Sequence, residues 1–171
     1  MTDASAATGP SEPPPAYPEL LHTAIDARDC RGLAEFYREL LGLRYRPGDE
    51  PPTDGSPDDP DWLVLLDADG VRVMAIQRKA DTRTPTWPSE QVPMQMHLDF
   101  TVVSIDALDQ HRHRAEQLGA RLLHDRSGDA GEPLYVLADP AGHPFCLLVQ
   151  SGERVGRAGR VGRSAGPGAS E

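Results

Sequence analysis

The residues best suited to proton transfer or metal binding near neutral pH are six histidines and two cysteines. His22 and His97 each lie in an apolar run, LLHTAIDA and QMHLDFTV, that has the length of a β-strand. Two imidazoles in such positions could bind a metal, hydrogen-bond a ligand or move a proton. Each could equally be a half-buried side chain that hydrogen-bonds to the backbone, so both interpretations stay open.

The other four histidines carry less chemical information. His111 and His113 are two apart on a predicted helix and therefore point in different directions. We expect them and His124 at the surface. His143 follows Gly142 in a tight turn, where we expect it to shape or hydrate the turn.

The two cysteines fall at different kinds of position and do not suggest a disulfide framework. Cys30 lies near a predicted helix start, and Cys146 lies inside an apolar run. The sequence has no Gly-rich phosphate loop, nucleophile elbow or CxxC pair. Nucleotide hydrolysis, serine hydrolysis and thioredoxin chemistry therefore have no support.

Length and charge limit the class of protein further. The 171 residues, of which 38% are apolar, can build one core, and the net charge of −10 opposes binding to nucleic acid or anionic lipid. No leader peptide or membrane span is recognisable, so we expect a cytoplasmic protein with a small-molecule ligand.

The two ends of the chain have the composition of flexible tails. Residues 1–19 are rich in Ala, Ser, Pro and Glu. Residues 151–171 have Gly or Arg at nearly every second position and no hydrophobic periodicity of a helix or strand. We expect a single folded domain over residues 20–150.

The first half of this domain predicts strand, helix, short strand and hairpin in that order. Asp29 or its neighbour can cap a helix whose apolar residues recur at helical spacing until Gly42. The runs WLVLLD and VRVMAIQ flank the turn at Asp69 and Gly70, which is a hairpin signal.

The second half repeats this order, with a helix expected from Ile105 to Leu118 followed by three strands. Placing Gly70 opposite Gly142 also pairs Met74 with Cys146 without a gap, and His22 corresponds to His97. The pattern predicts two related modules, at about residues 20–80 and 95–150.

Two segments resemble the vicinal oxygen chelate superfamily, which includes glyoxalase I, the bleomycin resistance proteins and extradiol dioxygenases. The segment LLHTAIDARDCRGLAEFYRELLGL resembles the opening strand and "FYxxxLG" helix of these proteins, and LADPAGHPFCLLVQ resembles their "DPxGxxF" hairpin. The resemblance implies an α+β fold in which two paired βαβββ modules form a cupped, half-barrel sheet around one cleft. A homodimer in which modules pair between chains is also compatible with it.

The resemblance also implies a metal-ligand set on the first and fourth strands of each module, at His22, Met74, His97 and Cys146. A thioether and a thiol then stand where glyoxalase I has glutamates, so its acid–base chemistry lacks a carboxylate. His22, His97 and Cys146 could still bind zinc or a similar divalent ion, whereas Met74 and Cys146 could instead be core side chains.

Two glutamines complete the cleft residues that we expect. Gln77 and Gln150 end the last strand of each module and can direct amides toward the cleft mouth. We therefore expect a binding protein for a small organic metabolite or antibiotic, with a metal-dependent lyase, isomerase or dioxygenase as the alternative. Whether the protein is an enzyme stays open.

Overall fold

The computed structural model describes residues 18–150 of the chain. Eight strands and two helices follow one another in the predicted order. They are β1 (Thr23–Ala27), α1 (Cys30–Leu41), β2 (Arg44–Tyr45), β3 (Trp62–Leu66), β4 (Arg72–Arg78), β5 (Leu98–Val102), α2 (Ile105–Gln117), β6 (Arg121–Arg126), β7 (Leu134–Ala138) and β8 (Pro144–Val149). The tails predicted for residues 1–19 and 151–171 lie outside the described residues, apart from residues 18 and 19.

The strands form two separate four-stranded sheets with the same topology. The strand order is β1-β4-β3-β2 in the first sheet and β5-β8-β7-β6 in the second. In each sheet the first strand pairs with the last in parallel, and the other pairs are antiparallel. The prediction of two βαβββ modules is therefore confirmed.

Helix α1 begins and ends at the expected residues. The Asp29 side chain accepts a hydrogen bond of 2.8 Å from the backbone N–H of Gly32, and Gly42 ends the helix with φ of 66°. The buried face carries Leu33, Phe36, Tyr37 and Leu40 among others, because these residues recur every three or four positions.

Helix α2 also starts at the predicted position but ends one residue early. The Ser104 side chain caps it by accepting a hydrogen bond of 3.1 Å from Ala107, and the last helical residue is Gln117 rather than Leu118. Leu108 and Ala115 are its buried residues.

One hydrophobic core joins the two modules. The Phe36 and Tyr37 rings of α1 lie 6.0 and 6.4 Å from the ring of Phe145 on β8, and Tyr37 lies 6.3 Å from Phe100 on β5. A helix of the first module thus packs against the sheet of the second, and aromatic contacts of this kind stabilise the pairing.

A bulge in β4 corrects the sequence-based alignment of the two modules. Leu65 pairs with Met74 but Leu66 pairs with Arg72, so Val73 is skipped, whereas β7 and β8 pair without any shift. By register, Met74 corresponds to Phe145, and Ala75 corresponds to Cys146. His22 still corresponds to His97, because the residues after them, Thr23 and Leu98, pair with Met74 and Phe145.

Among the described residues, neither helix is long and apolar enough to cross a membrane.

Candidate functional site

The side of each sheet that faces away from the helices, here called the inner face, can be read from strand alternation. In the first module Leu63, Leu65, Met74 and Ile76 join the core that contains α1. The alternate residues Val64, Leu66 and Ala75 form a separate apolar cluster. That cluster marks the inner face of the first sheet.

This placement corrects the expected role of Met74. The side chain is 2% exposed and belongs to the core shared with α1. The bulge at Val73 is the physical reason, since one extra residue turns every following side chain to the opposite face. The inner-face position equivalent to Cys146 holds Ala75, which offers no metal-binding atom.

His22 lies beside the inner face of the first sheet. Its ring contacts that of Trp62 at 6.0 Å in an edge-to-face arrangement, and Trp62 is paired in register with Gln77. The Nδ1 atom of His22 is buried and has no hydrogen-bond partner among the described residues. The first module therefore contributes an apolar wall with an imidazole and an amide at its edge.

The inner face of the second sheet is more polar. Asp99 pairs with Cys146 across the parallel strands β5 and β8. His97 precedes Asp99 by two residues, so the two side chains lie on the same face of the sheet. One donor atom each of His97, Asp99 and Cys146 lies within 4.8 Å of the others. His97 Nε2 is 3.4 Å from Asp99 Oδ1. We call these three residues the His97 cluster.

The Cys146 thiol is neutral at physiological pH in this arrangement. Burial, with a hydrogen bond to Asp99 and its negative charge, raises the pKa of Cys146 to about 12. The thiol is therefore a poor nucleophile, and a cation that compensated the Asp99 charge would favour the loss of its proton.

The His97 cluster fits a divalent cation of the zinc type. Imidazole, carboxylate and thiolate are its usual ligands, and bond lengths of about 2.0–2.3 Å bring the donor atoms to about 3.5 Å from one another. The side chains of His97 and Asp99 are 41% and 56% exposed, so they have room for this small approach. Three protein ligands would leave one coordination position for a ligand or water.

The expected site residues are therefore only partly brought together. His97 and Cys146 lie in the cluster, whereas His22 does not belong to it. A cavity of about 660 Å³ is lined by His97 but not by His22, Cys146, Gln77 or Gln150. Gln150 is exposed immediately after β8.

Sequence reasoning missed Asp99. The signal was present, because residues two apart on a strand share a face and Asp99 is two residues beyond His97. His124, expected at the surface, is indeed exposed. It pairs with Val136, itself paired with Cys146, so it belongs to the inner face, where its ring lies 6.1 Å from that of Trp87.

Comparison with known proteins assigns the family. Residues 22–148 match the family model described as a glyoxalase-like domain. The chain therefore belongs to the glyoxalase-like domain family, and so to the vicinal oxygen chelate superfamily. No curated protein sequence matches the chain significantly.

Solved structures share the fold at low sequence identity. A glyoxalase/bleomycin resistance protein/dioxygenase family enzyme from Burkholderia phytofirmans is 18% identical with a TM-score of 0.55, and the match covers 75% of this chain and 96% of that one. The fosfomycin resistance protein FosX from Listeria monocytogenes is 15% identical with a TM-score of 0.55, covering 79% and 95%. Protein ATC0852 from Agrobacterium tumefaciens is 16% identical with a TM-score of 0.57, covering 80% and 100%.

Proposed function

We propose that the protein binds a small organic molecule on its inner faces, with the His97 cluster holding the polar part of that molecule. The observation that carries this proposal is the convergence of three polar side chains on one sheet face, with donor atoms within 4.8 Å of one another. Convergent polar groups beside apolar surface are typical of small-molecule sites.

The first module favours the binding of an organic ligand, because it does not supply a full set of metal ligands. On its inner face Val64 and Ala75 are fully buried, so the half-exposed ring of Trp62 supplies the apolar surface that a ligand can reach. One of the family's four ligand positions therefore lacks a donor, because it holds Ala75. An apolar or aromatic part of a ligand is the chemistry that such a ring accepts.

The charges favour a neutral or cationic ligand. Asp99 is 56% exposed on its side chain, and the whole chain carries a net charge of −10. Such a field repels anions and attracts cations toward the inner face. Among compounds named for relatives, bleomycin, which carries amino groups, suits this field better than the anionic fosfomycin.

Calorimetric titration of both compounds into chelator-treated protein tests this proposal. We expect bleomycin to bind more tightly than fosfomycin, and Asp99→Asn to weaken its binding by about tenfold, the effect of losing one charge-assisted contact. His111→Gln, on the exposed side of α2, serves as the control and should bind like the wild type. Equal binding by wild type and Asp99→Asn would remove the His97 cluster from the site.

A second candidate function, a metal-dependent lyase, isomerase or dioxygenase, is favoured by the donor chemistry of the same cluster. A divalent ion held by His97, Asp99 and Cys146 would act as a Lewis acid toward an oxygen of the ligand. His97 and Asp99 would orient that ion, and Cys146 would have to give up its proton to join them.

Elemental analysis of protein purified without chelator separates the two candidates. Stoichiometric metal that is lost in both His97→Ala and Asp99→Ala but kept in His22→Ala would support the metal-dependent enzyme. Protein that stays metal-free after incubation with zinc, manganese or iron salts would exclude this candidate and leave ligand binding alone.

A homodimer in the cytoplasm remains part of the proposal, on the basis of the resemblance and the composition. Light scattering of the purified protein measures whether it is a dimer. A dimer that dissociates in Trp62→Ala would place the inner face of the first module at the subunit contact.

A further inference from the structure

A buried carboxylate links the two modules. Asp139, whose side chain is fully buried, accepts a hydrogen bond of 2.9 Å from the Tyr37 hydroxyl through Oδ2. Its Oδ1 accepts from the backbone N–H groups of Ala141 and His143 at 2.9 and 3.0 Å. The Nδ1 atom of His143 lies 3.1 Å from Oδ2.

The first module contains the same turn without the histidine, which shows that the turn does not need it. Asp67 Oδ1 accepts from the backbone N–H groups of Asp69 and Val71 at 3.0 and 2.9 Å, as Asp139 Oδ1 does two and four residues ahead. Val71 stands where the second module has His143. The turn can therefore form without a histidine, and shaping the turn, the role expected for His143, does not account for this residue.

The orientation of the His143 ring leaves one nitrogen for another partner. Because Nδ1 faces the Asp139 carboxylate, it carries a proton and donates it to that bond. This hydrogen bond raises the pKa of His143 against the opposing effect of burial. Among the described residues no hydrogen bond uses Nε2, and the side chain is 21% exposed.

His143 lines the cavity of about 660 Å³ introduced above, which lies between the modules. The lining comes from β1, from the start of β5 and from the connector between the modules. Apolar surface is supplied by Ile25 and Leu98. The volume is that of a site for a small organic molecule.

The charges at this cavity are more balanced than those of the whole chain. Lys79 and Arg83 line it, and neither forms an ion pair within the described part of the chain. Asp26 and Asp81 are the acidic lining residues. Lys79, Arg83 and a protonated His143 are the positive groups at this cavity, and Asp26, Asp81 and the Asp139 carboxylate beside His143 equal them in number, in a chain whose net charge is −10.

The connector that carries these charges is packed against the turn that carries His143. A Cβ atom at Gly142 would lie 2.2 Å from Thr84 Cγ2, so the Thr84 side chain approaches the Gly142 backbone closely there. The glycine also has φ of 94°, a conformation that other residues rarely adopt. The connector that carries Lys79 and Arg83 therefore lies against the turn that carries His143.

We propose that the cavity between the modules binds a small organic anion with a flat apolar body, whose negatively charged oxygen accepts a hydrogen bond from Nε2 of His143. Lys79 and Arg83 supply further positive charge, and Ile25 and Leu98 contact the apolar body. This site goes beyond the proposed function, because Asp99 and Cys146 of the His97 cluster do not line the cavity, although His97 does.

Benzoate is a suitable probe, and benzamide is its uncharged counterpart of the same shape. Each is titrated into ¹⁵N-labelled full-length protein while the imidazole nitrogens and backbone amides are followed by NMR. We expect benzoate to shift the His143 imidazole signals and the amides of Ile25 and Leu98, and to bind at least about tenfold more tightly than benzamide, as a charge-assisted hydrogen bond predicts.

The decisive variant is His143→Val, which copies the residue that the first module has at this turn. We expect it to fold with unchanged amide signals outside the turn and to bind benzoate at least about tenfold more weakly, since one charged partner is lost. His111→Val makes the same chemical change on the exposed side of α2 and should bind benzoate like the wild type. Absence of benzoate binding to the wild type, or equal binding by wild type and His143→Val, would overturn the proposal.

Discussion

The Tyr37 hydroxyl, on the first helix, donates a 2.9 Å hydrogen bond to the buried carboxylate of Asp139, which lies 102 residues further along the chain in the other module. Both groups are out of contact with solvent, so the bond cannot be replaced by water without local opening. It ties the helix of one module to the hairpin turn of the other.

Tyr37→Phe should therefore destabilise the fold without opening a cavity. Hydrogen bonds to charged groups contribute about 1.5–3 kcal/mol, and we expect a loss of unfolding free energy in this range. Urea denaturation measures it. Tyr45→Phe is the control, because the partner of Tyr45, Glu35, is partly exposed, and it should lose less. An equal loss in both variants would show that burial of Asp139 adds nothing.

The stability that His143 contributes should depend on pH. The pKa of His143 is raised in the folded protein above its ordinary value of 6.5 by the hydrogen bond to Asp139, with Asp26 acting in the same direction. The contribution is therefore complete below pH 6.5 and is lost as the pH rises through the folded pKa. Tyr37, whose own pKa is raised well above 10, stays neutral throughout. The difference in unfolding free energy between wild type and His143→Val should be larger at pH 6 than at pH 9, and a constant difference would contradict the pairing.

Phe36→Ala should remove a central contact of the core. The Phe36 side chain is 3% exposed and its ring lies 4.9 Å from that of Tyr37 and 6.0 Å from that of Phe145. Truncation of such a residue costs about 3–5 kcal/mol. Chemical denaturation of Phe36→Ala and Phe36→Leu should give a large and a smaller loss, and a loss below about 1 kcal/mol for alanine would mean that the site repacks.

Gly142→Ala should be more harmful than Gly70→Ala, although both glycines have positive φ, 94° and 83°. The new methyl group meets Thr84 Cγ2 at 2.2 Å at position 142, whereas at position 70 it meets the end of the flexible Arg44 side chain at 3.4 Å. Thermal melting should show the lower Tm for Gly142→Ala. Thr84→Ser removes the clashing methyl group, so Gly142→Ala/Thr84→Ser should recover part of the loss; no recovery would attribute the whole effect to the backbone angle.

Cys146 should react slowly with iodoacetamide at pH 8, because the pKa of about 12 leaves little thiolate. Asp99→Asn removes the negative charge that raises this pKa, so alkylation of Cys146 should become faster. The pKa of Cys30 is raised to about 11 mainly by burial, and Asp99 does not contribute to this rise. Cys30 should therefore react at an unchanged rate. Mass spectrometry of the modified peptides distinguishes the two thiols, and an unchanged rate at Cys146 would separate Asp99 from the cluster.

Local signals in the sequence were enough to predict the elements of the fold. Helix α1 begins after Asp29 and ends at Gly42, because capping depends on the residues at the helix ends alone. The hairpin at Asp69 and Gly70 follows from the turn preference of these two residues. The equivalence of His22 and His97 also holds, since the order of elements repeats.

Tertiary structure alone decided which side chains share a face and which modules touch. Skipping Val73 in β4 moves Met74 into the core and leaves Ala75 opposite Cys146, and no composition signal marks such a bulge. The sequence predicts Tyr37 in a helix and Asp139 in a turn, and no sequence signal connects the two residues. Their hydrogen bond exists because α1 packs across the second sheet, and packing between distant segments depends on the whole fold rather than on any local pattern.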